Sequence, residues 1–107
     1  MIQVKDGVVF KRLMPQIYII LPALDAIFDD VNRPCVITSA SEGKHKIGSF
    51  HYKDLALDLR SRDLPNEQIK LEVLQRIKDA LGEKYDVLLE QLGGPGEHYH
   101  LEYDEHK

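Results

Sequence analysis

The chain has one cysteine, so no disulfide within it can staple the fold. Cys35 lies in the apolar run "CVIT" and reads as a small buried hydrophobe rather than a nucleophile. Clusters of basic residues are also missing and the net charge is −4, which argues against a nucleic-acid surface. Long hydrophobic runs are absent. The most apolar stretch, "IYIILPALDAIF", contains Pro22 and Asp25 and is too short to cross a bilayer. The opening "MIQVKDGVVF" lacks the apolar block of a signal peptide, which predicts synthesis in the cytoplasm. Repeats and low-complexity segments are lacking too.

What is present is an ordinary globular balance, 43% apolar and 30% charged residues. At 107 residues the chain fits a single domain, 1–107, with a small core. Residues 16–31 place Ile17, Ile20, Leu21, Leu24, Phe28 and Val31 at helical spacing. Pro22 should kink or delay that helix, and Asn32-Arg33-Pro34 should end it. A β-branched strand follows at 35–40, then a glycine-containing loop at 41–50. "LALDLR" (55–60) alternates, with Leu55, Leu57 and Leu59 on one face and Ala56, Asp58 and Arg60 on the other. The spacing predicts a second helix over 66–81, with Glu72 and Arg76 paired on its surface and Gly82 as its stop. Residues 85–91 and 98–104 read as two strands of a hairpin. The order predicts an α+β fold: a small, mainly antiparallel sheet with helices packed on one face.

"GEHYHLEYD" (96–104) carries the chemistry. On a strand, His98, His100 and Glu102 share one face, while Tyr99, Leu101 and Tyr103 share the apolar one. The histidines then need a partner from elsewhere. "SFHYKDLALD" supplies His51 and, on the face away from the leucines, Asp58, with small Ala56 beside it. Two histidines and a carboxylate are the donor set of a catalytic zinc site, with a fourth position left for water. Either half alone is more often a solvated strand than a ligand set. Together they point to His51, Asp58 and one of the two C-terminal histidines as zinc ligands.

"SFHYKDLALD" resembles the Ser-x-His-x-x-Gly-x-Ala-x-Asp motif of zinc peptidases that cut bacterial cell-wall peptides. These are D-alanyl-D-alanine carboxypeptidases and dipeptidases and phage L-alanyl-D-glutamate endopeptidases, with the hedgehog signalling domain as a relative. Ser49, His51, Ala56 and Asp58 match, while Asp54 stands where that family has glycine. Aspartate tolerates a left-handed turn better than most residues. "EHYH" is similar to the family's C-terminal motif, both as Glu-x-x-His and as His-x-His. The similarity runs over roughly residues 35–104 and is that of a small phage- or prophage-type member.

The resemblance implies a zinc metallopeptidase, one Zn²⁺ per chain, acting on peptidoglycan stem peptides after release by lysis or a virion. It implies His100 as the last ligand and Glu97 as general base. Strict alternation sets Glu97 on the face opposite His98 and His100, so a bend between Glu97 and His98, eased by Gly93, Gly94 and Gly96, is needed to bring it round. His98 is either an oxyanion donor or a partner that orients the water. The family's carboxylate-binding arginine has no counterpart in "TSASEGKHK", leaving Lys44, Lys46 or Arg60 to serve, with Ser39 and Ser49 lining the cleft. The competing expectation is a zinc-containing binding or structural module, for example of a phage particle. The blandest is a metal-free domain with incidental histidines.

Overall fold

The computed structural model describes residues 1–42 and 54–106. Along the chain come β1 (Ile2–Val4), α1 (Pro15–Tyr18), α2 (Leu21–Asp29), β2 (Cys35–Ser39), β3 (Ala56–Arg60), α3 (Glu67–Leu81), β4 (Tyr85–Glu90) and β5 (His98–Tyr103). The five strands form one sheet in the order β1-β2-β3-β5-β4. The fold is α+β, as the element order predicts. The sheet is mixed, because β1 runs parallel to β2 while the other neighbours are antiparallel. Strand β1 is three residues long and mostly exposed, which leaves too little alternation to announce it in the sequence.

Pro22 divides the first helical segment. Pro22 lies in the first turn of α2, where its missing N–H would have had no partner within the helix. The segment therefore becomes the short α1 and the nine-residue α2 rather than one helix from 16 to 31. Asn32 then takes a left-handed turn, φ 57°, before Pro34. Helix α3 opens on Asn66, whose side-chain oxygen accepts from the Ile69 amide at 2.9 Å, and closes on Gly82 at φ 85°. The expected Glu72–Arg76 pair does not form. Arg76 reaches Asp30 at the end of α2 instead, at 2.5 Å, and Glu72 accepts from Gln68.

The core lies between the helices and one face of the sheet. Leu24 and Phe28 of α2, Val73 and Ile77 of α3, Leu57 and Leu59 of β3, and Tyr99 and Leu101 of β5 are all buried. Phe28 meets Tyr99 edge to face, with centroids 6.3 Å apart. Cys35 is fully buried, and desolvation pushes its thiol up to about 12, so it stays neutral and inert. Among the described residues no helix is long and apolar enough to cross a membrane.

Candidate functional site

Antiparallel register builds the site on the sheet face that the helices leave bare. Asp58 pairs with His100, Arg60 with His98 and Ala56 with Glu102 across β3 and β5. Strand β4 extends the rows, setting Leu88 opposite His100 and Glu90 opposite His98. Directly opposed residues share a face. Asp58, Arg60, His98, His100, Glu102 and Glu90 therefore form one polar surface, while Leu57, Leu59, Tyr99 and Leu101 point into the core. Strands β3 and β5 are interior to the sheet, so their backbones are held on both sides.

His100 is clasped by two carboxylates. Its Nδ1 lies 2.8 Å from Asp58 Oδ1 and its Nε2 lies 2.7 Å from Glu102 Oε1. The Asp58 hydrogen bond raises its pKa, burial opposes the rise, and Glu102 adds to it, giving about 9. In this state the ring is an imidazolium, because a carboxylate faces each nitrogen.

His98 is oriented differently. Its Nδ1 lies 2.7 Å from the Gly96 carbonyl oxygen, which can only accept, so Nδ1 carries a proton. That leaves Nε2 facing Glu90 Oε1 at 3.4 Å and Asp58 Oδ1 at 3.9 Å. Asp58 thus sits between two imidazoles, with oxygen and nitrogen donors facing one another. This chemistry suits a borderline cation such as zinc. Asp58 and His100 would be two of its ligands. A hydrogen bond from a ring N–H to a backbone carbonyl, as His98 makes, is also how imidazoles beside metals are fixed. Among the described residues no three His, Cys, Asp or Glu side chains gather as a metal group. His51, the expected third ligand, lies outside the described residues, as do Lys44, Lys46 and Ser49.

Glu97 is on the other side of the strand. Its carboxylate is 2% exposed and accepts from Ser61 Oγ at 2.8 Å, from the Gly93 amide at 2.9 Å and from Lys70 Nζ, with a shortest Lys70 contact of 2.9 Å. The Tyr99 hydroxyl donates to the Lys70 carbonyl of the same helix. Alternation therefore carries through Glu97, Tyr99 and Leu101 toward α3. The bend supplied by the connection comes earlier, where Gln91 and Gly93 adopt φ 55° and 81°. Burial alone would raise the Glu97 pKa. The Gly93 N–H, the Lys70 ammonium and the Ser61 hydroxyl outweigh it and hold the group below the usual carboxylate range.

Asp54 has the left-handed geometry expected where the resembling family has glycine, with φ 60°. Its buried carboxylate accepts from Ser41 Oγ and from Arg12 Nε, the latter at 3.0 Å. The side chain thereby stabilises a backbone conformation that glycine would adopt without help. Ser41 follows β2, and Glu42 secures the same corner by accepting from Ser39 Oγ and the Ala40 and Val9 amides.

A cleft of about 240 Å³ opens beside His98. Its lining includes Ser39, as expected, together with Asp58, Arg60, Lys5, Arg62 and His98. Lys5, Arg62, Glu90 and Lys70 are additions that the sequence reading missed. Glu90 was accessible through the alternation of "YDVLLE" combined with hairpin register. Lys5 was not, because its position depends on the parallel β1–β2 pairing. A larger cavity, about 460 Å³, lies between α3 and the edge strand β4 and contains no histidine. Comparison with protein-family models, with curated proteins and with solved structures finds no match for this chain.

Proposed function

We propose that the chain is a zinc metallopeptidase that hydrolyses an amide bond in peptidoglycan stem peptides, at or near a D-amino acid. The observation that supports this most is the Asp58–His100 contact, in register across β3 and β5 and flanked by His98 on the open sheet face. In this reading His51 completes the ligand set. Bound zinc supplies Lewis acidity, which acidifies a water and polarises the scissile carbonyl.

The chain's own residues do the rest. Asp58 and His100 hold their donors rigidly, because each belongs to an interior strand. Glu102 orients the His100 ring through Nε2. His98 directs Nε2 into the cleft, where in its protonated form it donates to a developing oxyanion. Glu97 is the general base of this reading, passing the water proton to the leaving amine. That duty requires its carboxylate to exchange Lys70 and Ser61 for the cleft, which Glu97 already borders.

The buried Glu97–Lys70 pair also motivates a second reading, a zinc-containing binding or structural module without turnover. Metal analysis and hydrolysis separate the two. The peptidase reading expects about one zinc per chain, lost in Asp58→Ala and His51→Ala, and cleavage of purified stem peptides seen by mass spectrometry. Zinc without cleavage supports the module. No stoichiometric zinc after zinc is offered removes both.

A further inference from the structure

We propose that edge strand β4 pairs with β4 of a second copy of this chain, antiparallel about a two-fold axis at Val87, so that the two sheets join into one. Strand β4 has β5 on one side and ends the sheet on the other. The ladder fixes which backbone groups face outward. The Asp104 amide donates to the Lys84 carbonyl, so Lys84 and, by alternation, Asp86, Leu88 and Glu90 turn their backbone groups toward β5. The N–H and C=O groups of Val87 and Leu89 and the C=O of Tyr85 therefore point away from the sheet. The Tyr85 amide donates to the Gly82 carbonyl at 3.2 Å. The cavity of about 460 Å³ lies at this edge, lined by Tyr85, Val87 and Leu88 on the strand and by Lys78 and Gly82 at the end of α3. Monomeric proteins blunt such edges with lysine, proline, a bulge or a very short strand. The opposite edge, β1, is only three residues long. Strand β4 has six, and its centre is Val87-Leu88-Leu89, with Leu88 half exposed on the open face.

Charge selects a second copy as the occupant and Val87 as the centre. Centring the pair on Asp86 would set that carboxylate against itself, and centring on Leu88 would set Asp86 against Glu90. Centring on Tyr85 or Leu89 runs the ladder off the strand, since Tyr85 begins β4 and Gln91 turns out of it at φ 55°. Centring on Val87 opposes Tyr85 to Leu89, Asp86 to Leu88, and Lys84 to Glu90, twice over by symmetry. The outward backbone groups then match. Each Val87 N–H meets the other Val87 carbonyl, and each Leu89 N–H meets a Tyr85 carbonyl, while the Tyr85 amide keeps Gly82. Lys84 Nζ donates to the Glu105 carbonyl at 3.2 Å, and an ammonium has further donors for the second copy's Glu90. The two Leu88 side chains become diagonal neighbours and cover one another on the open face. Glu90 faces His98 Nε2 at 3.4 Å, so Lys84 of the second copy borders the polar face of the first. The pairing does not rest on the peptidase reading, since it draws only on β4 and its flanks.

The test is sedimentation equilibrium of the full chain between about 1 and about 300 μM, which gives the dimer dissociation constant directly. The wild type should approach twice its 12.3 kDa mass as concentration rises. Leu88→Glu sets a like charge against Asp86 of the second copy and should weaken the dimer at least about tenfold. Lys84→Glu opposes two carboxylates at each end and should weaken it by about tenfold. Lys84→Glu/Glu90→Lys restores opposite charges and should return the constant to within about threefold of wild type. Circular dichroism confirms that each variant is folded. A wild type still monomeric at about 300 μM overturns the proposal and leaves the edge to a strand of another protein. A dimer indifferent to Leu88→Glu overturns it by placing the interface elsewhere. A double variant no tighter than Lys84→Glu overturns the pairing centred on Val87. Zinc content and peptide hydrolysis are independent of all these outcomes, so the peptidase reading stands or falls separately.

Discussion

Glu97 shows how one side chain can be read in two ways by the same local rule. Period two puts it with Tyr99 and Leu101, while the catalytic reading needs it with His98 and His100. The structure follows period two, because Lys70, Ser61 and the Gly93 amide provide a complete set of donors on the helix side. Glu97→Gln keeps the shape and removes the charge, leaving the Lys70 ammonium nearly buried without its anion. Such a loss costs about 3 kcal/mol. The sign of its pH dependence follows from the lowered pKa. The folded-state value lies below the ordinary 4.5, so the stabilisation is present above that pH and disappears as pH falls through the folded value. Urea denaturation should show wild type above Glu97→Gln by that amount at pH 7, with the gap closing in acid below pH 4.5. A gap that stays constant down to pH 3 would assign the loss to packing instead of charge.

Elements that carry their own punctuation were legible, and those that depend on distant pairing were not. Asn66 and Gly82 bracket α3, and the structure begins and ends the helix at those residues. Alternation in 55–60 and 98–104 placed Leu57, Leu59, Tyr99 and Leu101 in the core and Asp58, Arg60, His98 and His100 on the open face, as the structure has them. Strand β1 escaped because its three residues earn their place only through the register Ile2 with Cys35 and Val4 with Ile37. Arg76 went to Asp30 rather than Glu72 because α2 packs against α3, a tertiary fact with no local signal. Of the site, Asp58 and His100 were readable as partners, whereas Lys5 and Glu90 required knowledge of strand order. The cap supplies this scale's own test. Asn66→Ala removes the acceptor of the Ile69 amide and should lower stability by about 1 kcal/mol. Asn66→Asp, which keeps an acceptor at that atom, should stay within a few tenths of wild type in the same chemical denaturation series. Equal losses in both variants would show that the Asn66 contact with Ile69 does not stabilise α3.

At the scale of the whole molecule, the helices bury one face of the sheet and so oblige the other to be polar. Two of the strands that carry that face, β3 and β5, are interior, and the edge strand β4 adds Glu90 to it. An open, charged surface on a rigid interior pair suits ligand capture better than core stability: β3 and β5 carry Asp58, His98, His100 and Glu102 on one face, with Glu90 beside them on β4. The protonated His100 ring places a positive charge between the Asp58 and Glu102 carboxylates, and in the proposed function a cation takes over that part. A cation that binds only the folded chain raises stability by mass action, by about 2.7 kcal/mol at one hundred times its dissociation constant. In a domain of this size that moves the thermal midpoint by roughly 10 °C. Scanning calorimetry at pH 7 should therefore record a rise of that order when zinc is added to metal-free protein. Magnesium should do far less, since it prefers octahedral oxygen ligands. His100→Ala should abolish the zinc shift while leaving a cooperative transition, because the residue contributes to the open face and not to the core. A midpoint indifferent to zinc in the wild type, or a full shift retained in His100→Ala, would separate the histidine pair from metal altogether and leave the carboxylate clasp on His100 as a purely structural pairing of β3 with β5.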